Sequence, residues 1–223
     1  VVRIEIEGLP AVQAALGSVV VALGRPLMLV LDQELKTLTA RNFVDERDPV
    51  SGVKWPSVRP LTMAIRPSGG GHILWNRGRL LNSIISRRPI ITKDSVTIGT
   101  NVAYARVHHG KNGSPFTVIR PRNARKLAIP MNREAARAGS ARRWIAANSA
   151  SYFINESGIF KTYARRKPRM MFLRVDFVRV PKRRFLGVGR READILNKKI
   201  VGYMKAILVR MLTSQGLTVG ATP

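Results

Sequence analysis

Cysteine is absent from all 223 residues. Disulfides, thiolate nucleophiles and cysteine-ligated zinc are thereby removed together, which suits a chain maturing in a reducing cytoplasm. Carboxylates are scarce: 13 Asp and Glu stand against 39 Lys and Arg, a net charge of +26. Aromatic residues make up 6%, few for a protein that grips bases by stacking. There are three histidines, His72, His108 and His109. The longest apolar run, Val19 to Leu31, is broken by Gly24, Arg25 and Pro26. It therefore falls short of the roughly 20 residues that a bilayer span requires, and no membrane is expected among the partners. The opening "VVRIEIEG" lacks a basic stretch followed by an apolar one, so it does not read as a signal peptide.

What is present is enough apolar material, 45%, to bury a core. The length suits one generous domain or a compact core carrying a large insertion. Val1 to Glu7 alternates like a half-buried strand, and Ala11 to Leu23 has helical spacing up to Gly24. A second helix opens at Pro26, where a missing N–H costs nothing, and runs to about Phe43. Its Leu27, Leu31, Leu35 and Leu38 form one stripe. From Val44 to Gly71 the text is rich in Pro, Gly and Ser, a long loop that Trp55 is expected to pin. A short helix or turn in "ILWNRGRLLNSIISRR" leads into strands, with further strands in "DSVTIGTN", "PFTVIR" and "KLAIP" and a turn at "RPRNAR".

Helical spacing returns in "NREAARAGSARRWIAANSA", and "YFINESGIFKTYARRKPR" reads as a hairpin with Gly158 near its turn. "MMFLRVDFVRV" is the strongest strand signal, with a change of phase near Phe177 that a bulge would produce. A terminal helix from about Arg191 to Leu212 aligns Leu196, Ile200, Tyr203, Ile207 and Met211 on one face. The last ten residues lack periodicity and are expected to fray. The fold class is α+β: a small, mostly antiparallel sheet packed by two long helices, with a basic β-rich insertion or arm.

Catalytic and metal readings find little to stand on. If His108 and His109 close a strand, they point to opposite faces and cannot share a metal without an irregular backbone. Asp94 is the nearest carboxylate in sequence, and no serine stands in a G-x-S-x-G setting. A phosphate-directed hydrolase built from His108 or His109 with Asp94 is the weakest reading. "RPSGGGH" has amides for an anion but lacks the Lys-Ser/Thr pair of a phosphate loop, and reads as a loop tip. No cofactor is expected.

The charge is local. Lys111 to Arg191 carries 21 Lys and Arg against three acids, or +18 of the +26. Such density repels itself unless a polyanion or an acidic partner relieves it. Seven residues are candidates for facing DNA or an acidic neighbour: Arg122, Arg125, Lys126, Arg165, Arg166, Lys167 and Arg169. No helix-turn-helix or zinc-finger pattern suggests sequence-specific readout.

One series of short signals runs in order along the chain: "RPLM", then Pro49, Gly52, Trp55 and Thr62, then "IL...GRL..SI", "V.IGTN..YA..HHG" and finally "P.R.FLG". This series resembles the virion morphogenesis or tail-completion family of tailed bacteriophages, including Mu-like phages. The resemblance covers about Pro26 to Gly113 and Pro181 to Leu208. It implies a core of residues 1–119 and 180–213, a basic insertion at 120–179 and a flexible tail at 214–223. It further implies a non-enzymatic structural protein of the neck, head-tail connector or tail-completion complex, assembled in the host cytoplasm and carried in the virion. Its partners would be copies of itself in a ring, sixfold by resemblance, neighbouring neck and tail proteins, and phage DNA in the channel. The alternative is a free-standing nucleic-acid-binding protein without sequence preference, using the same cations on phosphates.

Overall fold

The computed structural model describes residues 24–66, 71–92, 95–110, 114–149 and 151–214. The strand expected at 1–7, the helix at 11–23, most of the glycine loop, Asp94 and the tail from 215 lie outside the described residues. Helices and small antiparallel sheets make the fold α+β.

Helix α1 spans Arg25–Asp45, with Gly24 as its N-cap and Pro26 in its first turn. It ends where Glu46 turns left-handed, φ 51° and ψ 46°, donating its N–H to the Asn42 carbonyl. Its buried face is Leu27, Met28, Asp32, Leu38, Thr39, Asn42 and Phe43. Leu31 and Leu35 of the expected stripe are only half-buried. Polar groups of the contact face are met locally in part, although Asp32 Oδ1 is buried without a partner among the described residues. Asp32 pairs with Lys36 at 2.8 Å, and the Thr39 hydroxyl donates to the Leu35 carbonyl at 2.8 Å.

The loop after α1 folds back through an isolated Arg47–Lys54 bridge, and Asp48 Oδ1 accepts from the amides of Val50 and Ser51. Trp55 then enters the core. Its ring meets Phe43 edge-on at 5.6 Å, and its indole N–H donates to the Arg184 carbonyl at 2.9 Å. Helix α2, Pro60–Ile65, and helix α3, Arg79–Ile85, follow. Helix α3 buries Leu80, Leu81 and Ile84, which join Phe43, Trp55, Ile73, Val102, Ala105 and Phe185 in the first apolar core. Strands β1 (Ile90–Ile91) and β2 (Val96–Thr97) form a short antiparallel pair.

Helix α4 covers Ala105–His109, where a strand had been expected. The Tyr104 carbonyl accepts from Val107 N at 3.1 Å and His108 N at 3.4 Å, and Gly110 N donates to Arg106. A one-turn helix leaves no periodicity to read. Gly110 ends it at φ 74°, and a Cβ there would come within 2.9 Å of the Lys182 side chain.

The remaining strands are β3 (Phe116–Ile119), β4 (Leu127–Pro130), β5 (Tyr152–Ile154), β6 (Gly158–Tyr163), β7 (Arg166–Val175) and β8 (Val178–Pro181). Strand β3 pairs with β8, and β4, β7, β6 and β5 form a four-stranded sheet in that order. Residues 120–126 are therefore not a turn between paired neighbours: they carry the chain from one sheet to the other. The change of phase near Phe177 has the same origin. Instead of a bulge, Asp176 and Phe177 separate two strands with different partners, and a strand that changes sheet changes which side faces inward. Register shifts occur instead between β6 and β7, at Ile159/Phe160 and Lys161/Tyr163.

Helices α5 (Arg133–Arg137) and α6 (Ala141–Ala147) are split at Gly139, φ 75°. Asn132 and Ser140 cap them by accepting from Ala135 N and Arg143 N. Ala135, Trp144, Ile159, Met171 and Phe172 make a second apolar core. Between the two cores, the Arg133 guanidinium donates to the Ala64 carbonyl at 2.8 Å.

Helix α7 runs Arg190–Ser214 and packs on α1, with ion pairs Lys199–Glu34 at 3.6 Å and Arg191–Asp45 at 3.7 Å. Its Leu196, Ile200, Tyr203, Ile207 and Met211 are half-buried along a largely exposed helix. Among the described residues no helix is long and apolar enough to cross a membrane.

Candidate functional site

The histidines come first because they are the chain's nearest approach to acid–base chemistry. His108 lies near the Tyr104 ring, 6.2 Å between centroids, and His109 meets Phe185 edge-on at 5.0 Å. Among the described residues, the Nδ1 atoms of both are buried without a hydrogen-bond partner. Burial lowers the pKa of His108, and Arg183 and Arg66 lower it further. Burial also lowers that of His109, with Arg184 and Lys182 adding to the effect and Asp48 opposing it. Among the described residues no three His, Asp or Glu side chains come together as metal ligands. Both rings lie against aromatic neighbours, in surroundings that favour the neutral imidazole over the charged one.

That assignment has a pH signature. The unfolded chain binds protons at both imidazoles near the ordinary value of 6.5, whereas the folded chain binds them more weakly. Stability is therefore complete above that pH and falls as the pH drops toward the depressed folded values. Thermal melts should show a midpoint that declines from pH 7.5 to about 5.5, with His108→Gln flattening part of the slope. An unchanged midpoint over that interval would contradict buried neutral rings.

The seven candidate cations fall into two groups. Arg122 and Arg125 are exposed in the 120–126 crossover, while Lys126 is half-covered beside the Glu156 carbonyl (3.4 Å) and the Asp176 carboxylate (4.0 Å). Arg165, Arg166, Lys167 and Arg169 are exposed at the β6–β7 hairpin tip, where Tyr163 faces Arg166. Leu127, next to the crossover group, faces Val175 at the other end of β7. At about 3.4 Å per residue, β7 holds the two groups roughly 20 to 30 Å apart, Arg169 being the nearest of the tip group to Val175. They do not form one patch. The register shift adds one residue to β7 between Arg166 and Arg169, and their partners Tyr163 and Lys161, two apart on β6, place both arginines on the same face.

The tip's density has a local counterweight. Lys161 stands directly opposite Arg169, a cross-strand pair of like charges that destabilises a sheet. Glu134, on α5, accepts from Lys161 Nζ at 2.8 Å and from the Trp144 indole at 3.4 Å. The Lys161 bond, helped by the Trp144 bond, holds the Glu134 carboxyl below its usual range, and the same bond raises Lys161.

Two cations missed in the sequence lie on the β3–β8 ribbon. The Arg120 guanidinium sits 5.4 Å from the centre of the Phe177 ring, and that of Arg179 lies 5.2 Å from Phe116 and 5.5 Å from Phe177. Both rings are partly exposed. Strand pairing brings these residues together from positions some 60 apart, so only the alternation of Arg with Phe in "PFTVIR" and "DFVRV" hinted at them.

The family model for phage virion morphogenesis proteins matches residues 7–208, a span that crosses both apolar cores and the basic segment. No curated protein and no solved structure matches the chain.

Proposed function

From the premise that the chain belongs to the phage virion morphogenesis family, we propose that it is a subunit of the neck or tail-completion complex of a tailed phage. A structural or assembly role in the virion follows from the membership itself. The finer reading is a ring of identical subunits, sixfold by the resemblance and in the manner of Mu-like phages, joined by heterologous contacts that close by rotation. In it the protein acts by binding, not catalysis, between neighbouring neck and tail proteins and beside the DNA channel. Residues 120–179 are an added module on a core formed by the flanking segments.

The observation that carries this reading is the β6–β7 hairpin. Its tip displays Arg165, Arg166, Lys167 and Arg169 uncovered, and none of the four belongs to either apolar core. A cationic tip of that kind suits contact with DNA or an acidic neighbouring ring better than support of its own fold.

A free-standing nucleic-acid binder is favoured by one feature, the β3–β8 ribbon with guanidiniums stacked on exposed Phe116 and Phe177. Light scattering of the purified protein at low and high salt, with and without short duplex DNA, separates the two. The ring reading expects a DNA-independent oligomer, or a monomer that ignores DNA and joins tails. A monomer that binds duplex tightly and releases it steeply as salt rises would replace that reading with the binder.

A further inference from the structure

A cleft of about 840 Å³ lies between residues 57–66 and 74–79 on one side and the strands β4, β7 and β8 on the other. Its walls carry Arg59, Arg66, Arg77, Arg79, Arg179 and Arg183, with no Asp or Glu among the lining residues. Among the described residues none of these six takes part in an ion pair. The rest of the wall is largely aliphatic, including Leu61, Leu74, Leu173 and Val180. We propose that the cleft holds an acidic segment of a neighbouring protein, whose carboxylates alternate with aliphatic side chains.

Arg183 shows why an anion belongs there. It is only 6% exposed, and it is fixed by donating Nε to the Pro56 carbonyl at 2.9 Å and Nη2 to the Ser57 carbonyl at 3.0 Å. Burial and the nearby Arg66 both disfavour its charge. A buried guanidinium with a like-charged neighbour and no carboxylate is costly to keep, and an incoming anion relieves both terms. Carbonyl anchoring also presents a planar fork already oriented, the geometry that carboxylates accept in paired hydrogen bonds.

Shape and wall chemistry favour a peptide over duplex DNA. The volume is that of a ligand pocket, within about 300–1,000 Å³, and its mixture of apolar wall with a few charged groups is what such pockets use for orientation. Phosphates on a duplex lie along the outside of a rod and would leave the aliphatic wall uncovered. A segment alternating Glu with Leu satisfies both parts at once. The proposal does not depend on where in the particle the chain sits.

The test uses the whole protein and a fluorescein-labelled octapeptide alternating Leu and Glu, followed by anisotropy. The cleft variant is Arg59→Glu with Arg77→Glu, both exposed side chains. The control is Arg165→Glu with Arg166→Glu at the hairpin tip, an identical change of net charge. The cleft variant should lose peptide affinity by about tenfold or more, equivalent to about 1.4 kcal/mol, while the tip variant changes it less than about twofold. Equal losses in the two variants would show attraction by net charge alone and overturn the proposal. Failure of the unmodified protein to bind the peptide would also overturn it. So would competition by short duplex DNA that is lost in the same cleft variant, since that would make the cleft a phosphate site.

Discussion

Trp55→Ala is expected to destabilise the protein by about 3 to 5 kcal/mol, the usual cost of emptying a large aromatic site in a core. The side chain is 5% exposed and packs on Phe43, which is fully buried and lies 5.7 Å from Phe185. Its loss opens a cavity where the end of α1 and the loop after it meet a segment far along the chain, the one following β8. The hydrogen bond to the part-buried Arg184 carbonyl goes with it, adding to the loss. In thermal melts this amounts to a midpoint lowered by roughly 10 °C for a chain of this size. Trp55→Phe divides the two contributions. It keeps most of the packing and removes the indole N–H, so it should cost about 1 to 2 kcal/mol. A melting midpoint unmoved by Trp55→Ala would mean that the 46–59 loop contributes nothing to the folded chain.

Reversing Arg165, Arg166 and Lys167 to Glu should have the opposite profile. These side chains are exposed at the hairpin tip and belong to neither apolar core, so the change in stability should stay within about 0.5 kcal/mol. The consequence is expected in assembly: particles made with this variant should lose infectivity while the purified protein melts normally. Complementation of a phage lacking the gene, scored by titre beside a melt of the same protein, reads both quantities. Normal titre would take the tip out of the proposed contact. A lowered melting midpoint would instead assign its charge to the fold.

Long periodic elements were legible in the sequence. Helix α1 ran to its expected length, and α7 placed its five-residue stripe on the half-buried side, because over twenty residues a 3.6-residue repeat is distinct from chance. The role of Trp55 was legible too, as the one aromatic residue in a stretch rich in turn formers. What stayed hidden depended on pairing between distant residues. Strands β7 and β8 look continuous in sequence, and only their separate partners, β4 and β6 for one and β3 for the other, reveal two sheets. Helix α1's contact face was misjudged in part because Asp32, Thr39 and Asn42 are buried polar residues, which an apolar repeat cannot register.

The candidate cations were identifiable by density, and their grouping was not. Arg125 and Arg165 belong to two runs that look alike, yet β7 holds those runs at opposite ends. The Arg-Phe stacks and the arginine-lined cleft gather residues from segments far apart in the chain, and no local pattern announces them.

Strand β7 also has a mechanical meaning. A pull on the hairpin tip along the strand axis draws β6 and β7 the same way and leaves the bonds between them unstrained. The load passes to the pairs joining β7 to β4, from Leu127↔Val175 to Pro130↔Phe172, and to those joining β6 to β5, from Tyr152↔Lys161 to Ile154↔Ile159. Antiparallel hydrogen bonds lie across the strands, so these pairs are sheared together instead of opening one after another. A tug on the tip would meet its resistance all at once, whereas a sideways force would peel the hairpin bond by bond.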